Sequence, residues 1–299
     1  MRDEAPESVW RFAMTHIANR HELWPCELEL YERGETVVFS AGEHVIKLTT
    51  PACQYQIDAE VGCLTATHGK LSVATPELVA HGDISGWPYV VMRKIPGVAL
   101  EEVWPKLGNE RRRQLARRLG LLCRELHALP PTGFPTGWAD FWATVSRQVG
   151  ARHATRGGPP ALLAEIDPFL SKIGELGASK LVPLHTELID QHLFVDERGG
   201  EFVPCGLLDF ADARLGAPQY EFGALVEFVF RGERGLLREF LLAYGIEEQL
   251  LNPELSEVML AWALCHRFAH LGRMLALVEP HVPATLEELA QRLFSVSAA

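Results

Sequence analysis

The chain has 299 residues and is 47% apolar, enough to bury one large core or two modest ones. Its net charge of −11 argues against a nucleic-acid ligand, whose phosphates are met by an excess of Lys and Arg, and would welcome a cationic small molecule. No apolar run approaches the roughly 18 residues of a membrane span, and the opening MRDEAPES lacks a basic segment followed by an apolar one, so the expectation is a soluble, cytoplasmic protein with no membrane or nucleic-acid partner.

In chain order, apolar residues at helical spacing predict an opening helix over 8–20. Alternating segments rich in β-branched residues follow at 26–31, 36–40 and 44–48, with turn signals at Arg33-Gly34-Glu35 and Ala41-Gly42-Glu43, and predict three antiparallel strands. Helical spacing returns over 54–67, and 76–80 with 89–92 reads as a further strand pair. His81-Gly82-Asp83 resembles a catalytic tripeptide, but Ile84-Ser85-Gly86 is turn chemistry and predicts a hairpin there.

Beyond Lys94-Ile95-Pro96-Gly97 long amphipathic helices dominate, expected at 110–129, 138–150, 160–176, 218–230, 235–244, 253–277 and 285–294. One strand-like stretch, 181–209, interrupts them, its halves flanking a turn at 196–200. The fold class is therefore α+β and bilobal. A small antiparallel-sheet lobe covers residues 1–93, and a larger, mostly helical lobe covers 94–299. The six cysteines show no CxxC spacing and read as buried thiols. His266 and His270 stand four apart, but Arg267 replaces the glutamate a zinc protease needs between them, so they read as packing residues.

Three segments carry chemistry. Lys47, in Val45-Ile46-Lys47-Leu48, puts a charge into a strand whose alternation asks for none, and Glu60 on the next helix is its natural partner. The second segment runs His185-Thr186-Glu187-Leu188-Ile189-Asp190-Gln191-His192, and the third is Gly206-Leu207-Leu208-Asp209-Phe210-Ala211-Asp212-Ala213. Glu187 and Asp209 are separated by 22 positions (209 − 187), room for one β-hairpin.

In this order the segments resemble the aminoglycoside and macrolide phosphotransferase family, with its HxDxxxxN loop and its strand ending in Asp followed by Phe or Trp. Leu215-Gly216-Ala217-Pro218-Gln219-Tyr220-Glu221 resembles that family's G-x-P-x-x-D start of a helix, and Arg124-Glu125-Leu126-His127-Ala128-Leu129 is similar to the end of its long helix. The resemblance implies a protein-kinase-like fold and a small-molecule kinase that moves the γ-phosphate of ATP or GTP to a hydroxyl. The acceptor it implies is an aminoglycoside or macrolide antibiotic, hence antibiotic resistance. A metabolic amino alcohol or sugar is the alternative, as is a nucleotide-binding regulator with impaired catalysis.

Carried over residue by residue, Lys47 held by Glu60 grips the phosphates, and Asp209 with His192 binds Mg²⁺. Glu187 orients the acceptor hydroxyl, and the backbone of the link at Met92, Arg93 and Ile95 meets the purine. Two departures stand out: Glu187 replaces the usual Asp, with Asp190 as a backup, and His192 replaces the usual Asn, which admits Mn²⁺ as a second metal. His185 is expected to brace the loop, and Asp212 to be a neighbour of the site or a turn residue. A metal centre on His185 and His192 is the remaining rival. Acidic residues on the later helices, including Glu227, Glu247, Glu248, Glu254 and Glu257, are candidates to receive an amine-bearing acceptor.

Overall fold

The structure, a computed structural model, describes residues 6–32, 34, 36–174 and 180–297. The turn residues Arg33 and Glu35, and the end of the helix expected at 160–176, lie outside the described residues. After helix α1 (Glu7–Arg20), strands β1 (Leu28–Leu30), β2 (Val37–Ala41), β3 (His44–Leu48), β4 (Leu78–Ile84) and β5 (Trp87–Arg93) form one antiparallel sheet in the order β1-β2-β3-β5-β4. Helix α2 (Gln54–Thr67) is inserted between β3 and β4. The alternation of side chains along a strand divides this sheet between two cores. Ile46, Leu48, Tyr89 and Val91 face α1, packing with Met14 and Ile17. Val90 and Met92 face the other way, into a core shared with Ile57 and Leu64 of α2 and with the helical half. Lys47, between Ile46 and Leu48, points to that second face.

His81-Gly82-Asp83 sits inside β4, and the β4–β5 hairpin turns at Ser85 and Gly86, where the Gly86 N–H donates to the Asp83 carboxylate at 3.0 Å. Past β5 come the short strand β6 (Val98–Ala99), helix α3 (Leu100–Val103), and helices α4 (Asn109–His127), α5 (Trp138–Arg147), α6 (Val149–Thr155) and α7 (Pro160–Ile173). Strand β7 (Val182–Leu184) pairs with β10 (Arg214–Gly216), while β8 (Leu193–Arg198) and β9 (Glu201–Leu207) make a hairpin edged by β6. Helices α8 (Gln219–Leu225), α9 (Leu236–Tyr244), α10 (Pro253–Cys265), α11 (Leu271–Ala276) and α12 (Leu286–Leu293) complete the helical half.

Three expected helices are divided. The segment at 138–150 is shared by α5 and α6, and the one at 218–230 ends in a π-helical turn, Val226–Phe230. The helix expected over 253–277 stops at Cys265 and resumes at Leu271. A helix end leaves carbonyls without partners, and here arginines supply them. Arg152 donates to the Leu264 and Cys265 carbonyls at 2.9 and 3.2 Å, and Arg156 to those of Arg267 and Ala269 at 3.2 and 2.6 Å. The break is thus held from outside, with no Gly or Pro to announce it.

Close helix packing rests on glycines. A Cβ on Gly223 of α8 would lie 2.7 Å from the Ala263 Cα of α10. Gly223→Ala should therefore destabilise the protein by about 1–3 kcal/mol. Gly150→Ala, on α6 with open space around it, should stabilise by about 0.5–1 kcal/mol. Chemical denaturation of both variants checks the pair.

Candidate active site

Lys47 is 8% exposed, and its ammonium touches two carboxylates, Glu60 Oε2 at 2.6 Å and Asp209 Oδ1 at 2.7 Å. Burial alone would lower its pKa, but the charges of Asp209 and Glu60 outweigh burial and hold it above the ordinary lysine value. Glu60 is fully buried, and its other oxygen accepts the Phe210 N–H at 3.2 Å, so α2 is tied to the segment that follows β9. Asp209 adopts a left-handed φ of +64°, which turns its carboxylate back toward Lys47. Burial would raise its pKa; the Lys47 ammonium reverses this and keeps the group ionised, well below the usual carboxylate range.

The loop between β7 and β8 is braced by histidines that are neutral because they are buried. Burial pushes His185 down to about 4. Its Nε2 donates to the Leu208 carbonyl at 2.7 Å and its Nδ1 accepts the Glu187 N–H at 3.2 Å. With both ring nitrogens engaged, His185 is a brace and offers nothing to a metal.

Thr186, a β-branched residue, has φ +69°, an unfavourable conformation that neighbours must enforce. Three hydrogen bonds do so. Its N–H donates to Glu221 Oε1 at 2.7 Å, its hydroxyl to the Asp212 carbonyl at 3.1 Å, and its carbonyl accepts from His266 Nε2 at 2.9 Å. Glu221 is itself fully buried, and its second oxygen lies 2.5 Å from His127 Nε2. Cys123, His127 and Glu221 bring donor atoms within 4.8 Å of one another, but a nitrogen–oxygen separation of 2.5 Å is a hydrogen bond with no room for an ion.

These braces bring Glu187, His192 and Asp209 together. His192 Nδ1 donates to the Glu187 carbonyl at 3.1 Å, which fixes the tautomer and leaves the Nε2 lone pair facing Asp209 Oδ2 at 3.7 Å. No hydrogen bond reaches Oδ2 among the described residues. An open carboxylate oxygen beside a free imidazole nitrogen fits a divalent cation, with Lys47 on the other carboxylate oxygen. The Glu187 carboxylate stands 4.0 Å from His192 Nδ1. Burial first, then Asp212 and Asp209, pushes its pKa up to about 8.

The other expected residues are placed as follows. Met92 is buried in β5, opposite Val45. The Arg93 N–H donates to the Glu77 carbonyl at 2.9 Å and its side chain pairs with Glu77, while the Lys94 N–H donates to the Glu43 carbonyl. Ile95 packs on Gly206 of β9. Asp190 is not brought to the site: its carboxylate holds Arg231 at 2.5 Å and its carbonyl accepts the Glu101 N–H. Asp212 is no solvated turn residue. It is 8% exposed, lies against Glu187, and pairs with Arg267 at 2.5 Å.

Sequence reasoning missed Arg267 and the Glu221–Thr186–His266 bracing. The available signal was Cys265-His266-Arg267, polar residues that break an otherwise apolar helical run.

Among solved structures, the chain superposes on the GDP complex of wild-type aminoglycoside 2'-phosphotransferase-IIIa with a TM-score of 0.69 at 18% identity, over 85% of this chain and 89% of that one. A GDP and kanamycin complex of an APH(2")-type enzyme gives 0.65 at 19%, over 85% and 89%. Aminoglycoside phosphotransferase APH(3'')-Id from Streptomyces rimosus gives 0.60 at 16%, over 85% and 98%. At such identities these likenesses speak for the fold. A curated relative, lysine-specific demethylase JMJ21 of Arabidopsis thaliana, is 24% identical over 203 residues, which are 54% of this chain and 22% of that protein. The chain thus spans about a fifth of the curated relative it matches. The model of the APH phosphotransferase enzyme family matches residues 36–258, and the chain, with its α+β, protein-kinase-like fold, belongs to that family of small-molecule kinases.

Proposed function

We propose that this protein transfers the γ-phosphoryl group of ATP or GTP to a hydroxyl of a small molecule. What carries the reading is the convergence of Lys47, Glu60, Glu187, His192 and Asp209, from four separate segments, on one spot. Phosphoryl transfer asks little covalent chemistry of a protein and a great deal of charge placement. In this assignment residues 1–93 hold the nucleotide and 94–299 supply the loop and the acceptor site. Lys47, steadied by Glu60, grips phosphate oxygens. Ile95 meets the purine alongside Met92 and Arg93, whose own N–H is already committed to Glu77.

Asp209 Oδ2 and His192 Nε2 would hold Mg²⁺, or Mn²⁺, which when bound neutralises charge on the phosphates. Glu187 orients the acceptor hydroxyl and takes its proton as the new oxygen–phosphorus bond forms. The bond from the γ-phosphorus to the bridging oxygen breaks, and the nucleoside diphosphate leaves with that electron pair. A cytoplasmic setting is supported by six cysteines that are all free thiols.

An aminoglycoside or macrolide acceptor is supported by the sequence resemblance and by the kanamycin held by a structural neighbour. A metabolic hydroxyl compound is the alternative, and the side chains around Glu187, taken up below, favour it.

The test is nucleotide consumption with an acceptor panel, in Mg²⁺ and in Mn²⁺. A base must lose its proton before it can accept one, so with Glu187 pushed up to about 8, kcat/KM should rise tenfold per pH unit below that value and level off above it. Glu187→Gln should remove this pH dependence and lower kcat about 10²–10⁴-fold. Nucleotide binding without turnover in either metal, at pH 7 and at pH 9, would instead identify a nucleotide-binding regulator. The specific grounds for that second reading are Glu187 in place of the usual Asp and His192 in place of the usual Asn, together with the burial that raises the Glu187 pKa.

A further inference from the structure

The chain is acidic overall, yet the side of the site away from Lys47 is basic. Arg152, Arg156, Arg214 and Arg267 all lie around the turn after Asp209 and the link between α10 and α11. Arg152 and Arg156 are taken up by main-chain carbonyls, and Arg267 by Asp212. Arg214 differs. Its guanidinium lies over the Phe141 ring, 3.8 Å from the centroid, and its Nε reaches only the Asp212 carbonyl at 3.5 Å. Among the described residues no carboxylate lies within ion-pair distance of it.

Arg214 stands two residues after Asp212, whose carboxyl lies against Glu187, and at the start of α2 the half-exposed Tyr55 phenol feels Asp212, Arg267 and Arg214 together. A partly buried guanidinium without a contact ion pair is unfavourable: burial, then Arg267, pulls its pKa below the ordinary arginine value, and the charge of nearby Asp212 offsets only part of this. An aromatic face fixes the plane of the fork, the arrangement that receives a carboxylate or phosphate through paired hydrogen bonds. Several acids that might have received an amine are occupied on other helices: Glu227 by Arg273, Glu248 by Arg238 and Glu257 by Lys172.

We propose that the acceptor carries an anionic group, a carboxylate or a phosphate monoester, near its reacting hydroxyl, and that Arg214 receives it. The proposal rests on the phosphotransferase reading above. An amine placed against Arg214 would meet like charge, so the same residue selects against an acceptor with an amine at that position.

The experiment compares matched acceptors: glycerol, glycerate and glycerol 3-phosphate; glucose, gluconate, glucose 6-phosphate and glucosamine; and kanamycin. Nucleotide consumption is followed for the wild type, Arg214→Gln and Arg214→Lys, and binding of the same compounds is measured by calorimetry with a non-hydrolysable nucleotide present. The expected order of kcat/KM is anionic, then neutral, then cationic, and the carboxylate and phosphate arms identify the anion. Arg214→Gln should raise KM for the preferred anionic compound about ten- to a hundredfold with a much smaller change in kcat, and Arg214→Lys should recover part of the loss.

A neutral or cationic compound preferred over its anionic partner would overturn the proposal, as would equal effects of Arg214→Gln on neutral and anionic compounds. If no compound is phosphorylated, the phosphotransferase reading fails, but calorimetry still decides this one. Anion binding lost in Arg214→Gln upholds the site, and no anion binding by the wild type removes it.

Discussion

Asp209→Ala should reduce kcat/KM by at least about a thousandfold while leaving the protein folded. The carboxylate has two duties that no neighbour duplicates. Its Oδ1 is the second counter-ion of Lys47, and its Oδ2, facing His192, is the open oxygen available to a divalent cation. Asp209→Asn keeps nearly the same shape and gives up the charge, so it should lose almost as much activity. The fold survives because Lys47 still has Glu60 at 2.6 Å, and the left-handed φ at 209, which alanine tolerates less well than aspartate, adds only a small cost at one residue. A thermal melt within about 3 °C of the wild type, beside the lost turnover, is the expected pair of results. Activity within tenfold of the wild type would end the assignment of Asp209.

Glu221→Ala should do the reverse and strike stability first. The carboxylate is fully buried between His127 and the Thr186 N–H, and removing it strands both partners away from water. The cost should be about 3–5 kcal/mol, or a fall of roughly 6–15 °C in Tm for a core of this size. Glu221→Gln should be much milder. Its amide oxygen can still accept from Thr186, and its NH₂ can face His127 if that ring exchanges tautomers, since the Tyr244 hydroxyl at Nδ1, 2.9 Å away, serves as either donor or acceptor. Activity should fall beyond what stability explains, because Thr186 would be released from its left-handed φ and Glu187 follows it in the chain. Equal stability of the alanine and glutamine variants would refute the bracing role of this carboxylate.

Much of the molecule was legible because its signals are local. Alternation over 44–48 places Lys47 on the inner face of a strand, and helical spacing over 54–67 places Glu60 one element later. The hairpin needed between Glu187 and Asp209 is β8–β9. What stayed hidden depends on contacts made across the chain. The helix break at Cys265 is enforced by Arg152 and Arg156, more than 100 residues away, and no Gly or Pro between 265 and 271 marks it. Glu221 could be seen to start a helix, but not that its carboxylate would hold the loop between β7 and β8, 35 residues earlier. Arg214 drew no reading from the sequence, and Asp212 read as either a neighbour of the site or a turn residue, because their value lies in Phe141 and Arg267, brought up by other helices.

The two halves of the molecule also meet at a pair of glycines. A Cβ on Gly62, two residues past Glu60 on α2, would stand 2.4 Å from the carbonyl oxygen of Gly133, in the turn between α4 and α5. Position 62 therefore works as a shim of zero thickness. One methyl group there would wedge the sheet-bearing half away from the helical half, and in the proposed reaction a gap of even about 1 Å between donor and acceptor is enough to cost roughly a hundredfold in rate. The spacing of the two halves on either side of the proposed site is thus fixed outside it, by the absence of a side chain.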